Sequence, residues 1–148
     1  MQRCDWCGND PLYIQYQDEE WGVPSFDDRH LFEMLILEGA QAGLGWITVL
    51  RKREAYREAF AEFDPVKIAA FDEQNVAELL QTPGIIRNRL KIRGAVKNAQ
   101  AYLNMQTQGI DFAEHLWSFV DSNPIMNHWQ TLAEVPAKTD LSDRLSKD

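Results

Sequence analysis

The stretch LFEMLILEGAQAGLGWITVL, residues 31–50, constrains this chain more than any other. It reads as an apolar helix closing on a carboxylate, then a turn of small residues, then a second apolar helix. Ser25 is placed to cap the first helix, with Asp27 and Asp28 in its first turn, where acidic groups suit the positive end of the helix dipole. Leu31, Leu35 and Glu38 then fall at i, i+4 and i+7, so Glu38 is expected on the core-facing side. A carboxylate there is costly unless paired, and the negative helix end adds to the cost, so both effects raise its pKa. Such a group either caps a neighbouring backbone, pairs with an arginine, or faces a ligand. Gly39, Gly43 and Gly45 break the helix and Trp46 opens the next one. Small residues beside an aromatic and an acid can form the wall and floor for a flat, polar or cationic guest.

With 148 residues, 45% of them hydrophobic, the chain suits one domain, residues 1–148, with a substantial core. No run approaches a membrane span, MQRCDWCGND has no apolar signal core, and there are only two cysteines, so a cytoplasmic protein is expected. The net charge of -8 argues against generic polyanion binding. Its distribution argues differently: Gln81 to Ile110 contains no Asp or Glu and carries +5, leaving -13 for the rest. One face is therefore expected to be basic on an acidic body.

The first stretch, RCDWCGNDPLYIQYQDEEWGVP, has no clear helical period but gathers Trp6, Tyr13, Tyr16 and Trp21. Single large aromatics are usually core. Four in one irregular segment instead suggest one wall of a pocket whose other wall is Glu38 and Trp46. Cys4 and Cys7 form a single CxxC pair, and His30, His115 and His128 show no ligand spacing, so free or structural thiols are expected. From Trp46, the pattern predicts one amphipathic helix burying Val49, Tyr56, Phe60 and Phe63. Asp64 with Pro65, and then Asp72, cap two short helices. Pro83-Gly84 then joins two helices in a tight hairpin, the second running to Gly109. Free N–H groups from Gly84 through Ile86 to Arg87 could hold a phosphate, with Arg87, Arg89 and Lys91 adding charge. A further helix, DFAEHLWSFVD, turns Phe112, Leu116, Phe119 and Val120 inward, with His115 and Trp117 structural. After a loop, Thr139 caps a last helix that the chain leaves unfinished, which suggests a fragment of something longer.

Together RCDWC, DPLYIQY, DEEWGVP, LFEMLILEG, AGLGWITVL, FDPVKIAAF and GIIRNRLKI resemble the 3-methyladenine DNA glycosylase I family over essentially the whole chain. The resemblance implies an all-α, helix-hairpin-helix glycosylase fold in which the Pro83-Gly84 hairpin grips the DNA backbone. It implies a pocket for a flipped-out base built from Tyr13, Tyr16, Trp21, Glu38 and Trp46 with Trp6 close by. A wedge into the duplex comes from the Gly39 to Leu44 turn, including Gln41 and Leu44. It also implies that a monomer acts on alkylated double-stranded DNA, releases free 3-methyladenine, leaves the strand intact and does not touch membranes. The family carries zinc on Cys4, a His at position 17 and two later ligands. Here position 17 is Gln and the later pair falls outside the sequence, so no cofactor is expected. The rival readings are a glycosylase-like module that binds DNA or methylated base without turnover, and a protein-interaction scaffold.

Overall fold

The structure is a computed structural model that describes residues 2–148. Every regular element among the described residues is helical. The helices are α1 (Pro11–Glu19), α2 (Asp28–Ala40), α3 (Trp46–Leu50), α4 (Arg53–Ala59), α5 (Pro65–Ala69), α6 (Glu73–Leu79), α7 (Arg89–Thr107), α8 (Phe112–Ser118) and α9 (Asp140–Lys147). Short 3-10 turns sit at Asp5–Cys7, Ala61–Phe63 and Leu132–Glu134. None of the helices is long and apolar enough to cross a membrane.

The core is built around α2 and α7. Phe32, Ile36, Leu37 and Ala40 of α2 meet Ile92, Ala95, Val96, Ala99 and Tyr102 of α7, each set at helical spacing. Helix α5 also packs on α7, and its Ile68 is fully buried. Small Ala95 and Ala99 on α7 leave room for the neighbouring helices to approach. Phe60 and Phe63 lie nearly parallel, with ring centroids 6.4 Å apart, and are 1% exposed. Truncating either to Ala would cost about 3–5 kcal/mol. Their burial holds Ala61, Glu62 and Phe63 in left-handed backbone (φ 52°, 56° and 57°), a conformation that L residues otherwise avoid. An Arg29 hydrogen bond to the Glu62 carbonyl (3.1 Å) supports the same turn.

Cap chemistry read from the sequence holds at Asp64, Asp72 and Thr139, each of which accepts from a backbone N–H at its helix start. Four boundaries differ from the expectation. Asp27, not Ser25, caps α2, because its carboxylate is the one that reaches the His30 N–H, at 2.7 Å. The N-terminal segment contains α1, started by Asp10 as cap with Pro11 at the first position. Its period is weak because Tyr16 and Gln17 are both buried, and polar Gln17 hides the apolar stripe. The helix expected from Trp46 onward is two, α3 and α4, joined through Arg51 and Lys52. Finally, α7 begins at Arg89 with Asn88 as its cap, so Gly84 to Arg87 form a loop rather than a first helical turn.

Candidate functional site

The end of α2 decides what its acids do. Residues 32, 36, 37 and 40 point inward, which fixes the phase of the helix and turns Leu35 (42% exposed) and Glu38 outward. Glu38 is therefore not a core residue; the buried acid of α2 is Glu33. Phasing the stripe on Leu31 and Leu35 rather than on Phe32 and Ile36 explains the difference.

Although Glu38 is open to solvent, desolvation by the protein around it raises its pKa above the usual carboxylate value. The two statements fit a group with water on one side and protein on the other. Among the described residues its side chain accepts no hydrogen bond and pairs with no arginine. Its charge is felt by Tyr16: burial, with the Glu38 and Glu20 carboxylates, pushes that phenol up to about 12, so Tyr16 stays protonated.

Around Tyr16 the expected aromatics do assemble. Trp6 packs on Tyr13 (4.8 Å between centroids), on Tyr16 (6.4 Å) and edge-on against Trp21 (5.4 Å), and Trp46 lies 5.5 Å from Tyr16 on the other side. Tilted and edge contacts of this kind suit aromatic quadrupoles. Turn, helix α1, the segment after it and the start of α3 thus each contribute one wall of an aromatic bowl. The bowl is open, since Trp21 is 51% exposed. The Trp46 indole N–H lies near the Tyr16 hydroxyl and draws that phenol's pKa down slightly, yet it is not aligned as a hydrogen bond. It is therefore a buried donor without a partner in the described residues.

Two features behind the bowl were not foreseen. Buried Glu33 accepts from Arg53 (2.7 Å) and Arg57 (2.9 Å), and Arg53 also holds Glu20 (2.6 Å). Burial alone would raise the Glu33 pKa; the two guanidinium groups outweigh it and hold the carboxyl below its usual range. The ammonium of Lys91 donates to the Ala40 and Ala42 carbonyls at 2.8 and 2.7 Å, closing the C-terminal end of α2. For Glu33 a signal was present, since it lies four residues before Leu37 on the apolar stripe; for Lys91, whose partners are backbone carbonyls, there was none.

The hairpin loop lies apart from the bowl. Gly84 adopts φ +89°, and a Cβ there would meet Ala55 Cβ at 2.8 Å, so only glycine fits. The Ile86 N–H donates to the Tyr56 hydroxyl (3.2 Å), which docks the loop on α4. The Gly84, Ile85 and Arg87 N–H groups have no partner among the described residues. Arg87 is exposed and unpaired there, whereas Arg89 (3.5 Å) and Arg93 (2.8 Å) share exposed Glu73. In the turn after α2, Gln41 Nε2 donates to the Leu44 carbonyl (2.8 Å) and Leu44 is 38% exposed. A separate apolar cavity of about 480 Å³ lies between the segment after α1 and helices α2, α8 and α9, lined by Val23, Leu31, Met34, Trp117 and Leu141 among others. None of the six bowl residues lines it.

A zinc ion is the one group the resemblance implies, and the residues present do not fit it. Gln17 is buried where an imidazole ligand is needed, and its amide is already bonded to the Cys4 carbonyl and the Cys7 thiol. An amide so engaged offers no zinc ligand. Among the described residues no three His, Cys, Asp or Glu side chains gather as a metal site.

An all-helical body with a Pro-Gly hairpin and an aromatic bowl at the end of a helix has the fold of the helix-hairpin-helix DNA glycosylases. Residues 6–148 match the methyladenine glycosylase family model, and the chain belongs to that family. It is 54% identical over 147 residues to the DNA-3-methyladenine glycosylase 1 of Escherichia coli K12, covering 99% of this chain and 79% of that protein. A crystal structure of a 3-methyladenine DNA glycosylase I superposes with a TM-score of 0.96 at 55% identity, covering 99% of this chain and 80% of the other. Another, of a Y16F form in complex with 3-methyladenine, superposes with a TM-score of 0.94 at 37% identity, covering 99% of this chain and 79% of that one.

Proposed function

We infer that this chain is a monofunctional DNA glycosylase that flips N3-methyladenine out of alkylated double-stranded DNA and releases it by hydrolysis. Family membership supports the reaction class. The observation that carries the assignment to this site is Glu38, an unpaired carboxylate of raised pKa at the mouth of an aromatic bowl.

Methylation at N3 gives the base a positive charge and weakens its glycosidic bond, so the leaving group needs no protonation. Flipping costs a few kcal/mol, less for a damaged base. Trp46, Tyr13 and Tyr16, with Trp6 and Trp21 beside them, offer electron-rich faces to the cationic ring. Glu38 accepts a hydrogen bond from the exocyclic amine and favours cationic base over neutral adenine. The bond from the sugar carbon to the base breaks, its electron pair neutralising the base. Water forms the new bond to the same carbon and gives its proton to solvent. Lys91 is held by two carbonyls and provides no amine for a Schiff base, which agrees with base release without strand cleavage.

The DNA backbone is held by the loop from Gly84 to Arg87 through the free N–H groups of Gly84, Ile85 and Arg87, the Ile86 N–H being spent on Tyr56, with Arg89 and, in part, Lys91 adding charge; Gln41 and Leu44 enter the duplex as the wedge. A single domain over residues 1–148 does this as a cytoplasmic monomer. The test is incubation with methylated duplex DNA and chromatography of the released bases. Free 3-methyladenine with intact strands is expected; DNA binding without base release would overturn catalysis and leave a binding module.

A further inference from the structure

We propose that the Gln17 side chain replaces a metal as the tie that holds the N-terminal turn against α1, and that through this tie it positions Trp6 in the aromatic bowl. The proposal rests on the bowl being the base site and names a positioning residue for it.

Trp6 touches Tyr13, Tyr16 and Trp21, so its place decides whether these four aromatics form one surface. Trp6 itself sits in a three-residue 3-10 turn, Asp5–Cys7, which is too short to hold its own shape. Within the turn the Gly8 N–H donates to the Asp5 carbonyl, and the Cys7 thiol also lies 3.3 Å from the Cys4 carbonyl and 3.8 Å from that of Gly8, both farther than its contact with Gln17. Two hydrogen-bonded ties join this region to α1 among the described residues. One is the Arg3–Asp18 pair, with Arg3 42% exposed; pairs of that kind hold weakly. The other is Gln17, 8% exposed in the middle of α1. Its Oε1 accepts from the Cys7 thiol (3.1 Å), and its Nε2 donates to the Cys4 carbonyl (3.4 Å). The amide therefore grips the residues that bracket Trp6, on the C-terminal side through a thiol and on the N-terminal side through a carbonyl. A glutamine has both the donor and the acceptor that this grip needs, and its burial is otherwise unexplained. Cys7, itself 4% exposed, is thus a hydrogen-bond donor rather than a metal ligand.

The test uses the full chain labelled with 5-fluorotryptophan, the Trp6 resonance being assigned through Trp6→Phe. Zinc content is measured, and the melting temperature is compared before and after dialysis against EDTA. Substoichiometric zinc and an unchanged melting temperature are expected. In Gln17→Ala the Trp6 line should shift and broaden, and the Kd for 3-methyladenine should rise about tenfold. In a Trp6→Ala background the same substitution should change that Kd less than twofold, because a residue acting only through Trp6 has nothing left to position; a general loosening would add in full. Should Gln17→Ala not fold, Cys7→Ala removes one bond of the two and should raise Kd about threefold with a smaller Trp6 shift. Stoichiometric zinc lost to EDTA together with stability, an unmoved Trp6 line, or additive effects on Kd would each overturn the tie. A wild-type chain that binds no 3-methyladenine while Trp6 still moves in Gln17→Ala would overturn the functional reading and leave the tie standing.

Discussion

Helix α2 carries two glutamates five residues apart, and its two faces treat them in opposite ways. On the inner face Glu33 is buried and gripped by Arg53 and Arg57, and its pKa falls. On the outer face Glu38 meets solvent at the rim of the aromatic bowl, has no cationic partner among the described residues, and its pKa rises. Depth is thus a poor guide to reactivity in this helix. The deeper acid has its charge compensated and serves the fold; the shallower one keeps its charge uncompensated and is available to a cationic guest.

The largest effect that would break this contrast is in activity. Glu38→Gln should lower kcat for release of 3-methyladenine by about 100-fold or more, because it removes a fixed charge at the reacting base, while the melting temperature holds or rises slightly. A variant retaining normal turnover would remove Glu38 from the mechanism.

The inner face should answer in stability instead. Arg53→Ala leaves buried Glu33 with one partner and strips Glu20 of its own, and should cost about 3 kcal/mol in urea unfolding. Activity of the folded fraction should remain measurable. Glu33→Gln combined with Arg53→Met should cost clearly less than the sum of the two single changes, since removing both partners leaves no stranded charge; additive losses would mean the two groups do not interact.

The smallest effect is in pH dependence, and its sign separates the faces. For Glu33, whose folded pKa is depressed, the stabilisation is present above about 4.5, the ordinary carboxylate value, and is lost as pH falls through the lower folded pKa. The stability advantage of the parent chain over Glu33→Gln should therefore shrink on acidification below pH 4.5. For Glu38, whose folded pKa is raised, the charged form is the disfavoured one. Any advantage of Glu38→Gln over the parent should be largest at neutral pH and vanish as pH falls through that raised pKa toward 4.5. The acid limb of kcat/KM should also lie above 4.5 and disappear in Glu38→Gln. Parallel slopes for the two glutamine variants would show that the faces do not differ as described.

Helix α2 shows where sequence reading fails, and its neighbours show where it succeeds. Local chemistry was legible: Asp64, Asp72 and Thr139 cap their helices because a cap needs only its own first turn. The partners Trp6, Tyr13, Tyr16, Trp21 and Trp46 were also legible as a set, since aromatics in such density outside a helical period leave few arrangements. Phase was not. A shift of one residue along α2 exchanges Leu35 for Ile36 as a core group and turns Glu38 outward, and in an apolar run as continuous as LFEMLIL the composition does not choose between the two. The duties of Gln17 and Lys91 were hidden for a different reason, because their partners are backbone carbonyls and a thiol, which leave no charge or period in the sequence.

Lys91 leaves α7 one turn beyond the Pro83-Gly84 loop and ends on the last carbonyl of α2 and on the turn that follows. The part proposed to clasp the phosphodiester and the part proposed to pry the strands therefore share a single mechanical joint. Displacing that ammonium would free the turn after α2 to shift against the loop while the packed α2–α7 core holds, so the fine register between the site of grip and the site of extrusion depends on one flexible side chain laid over a stiff bundle.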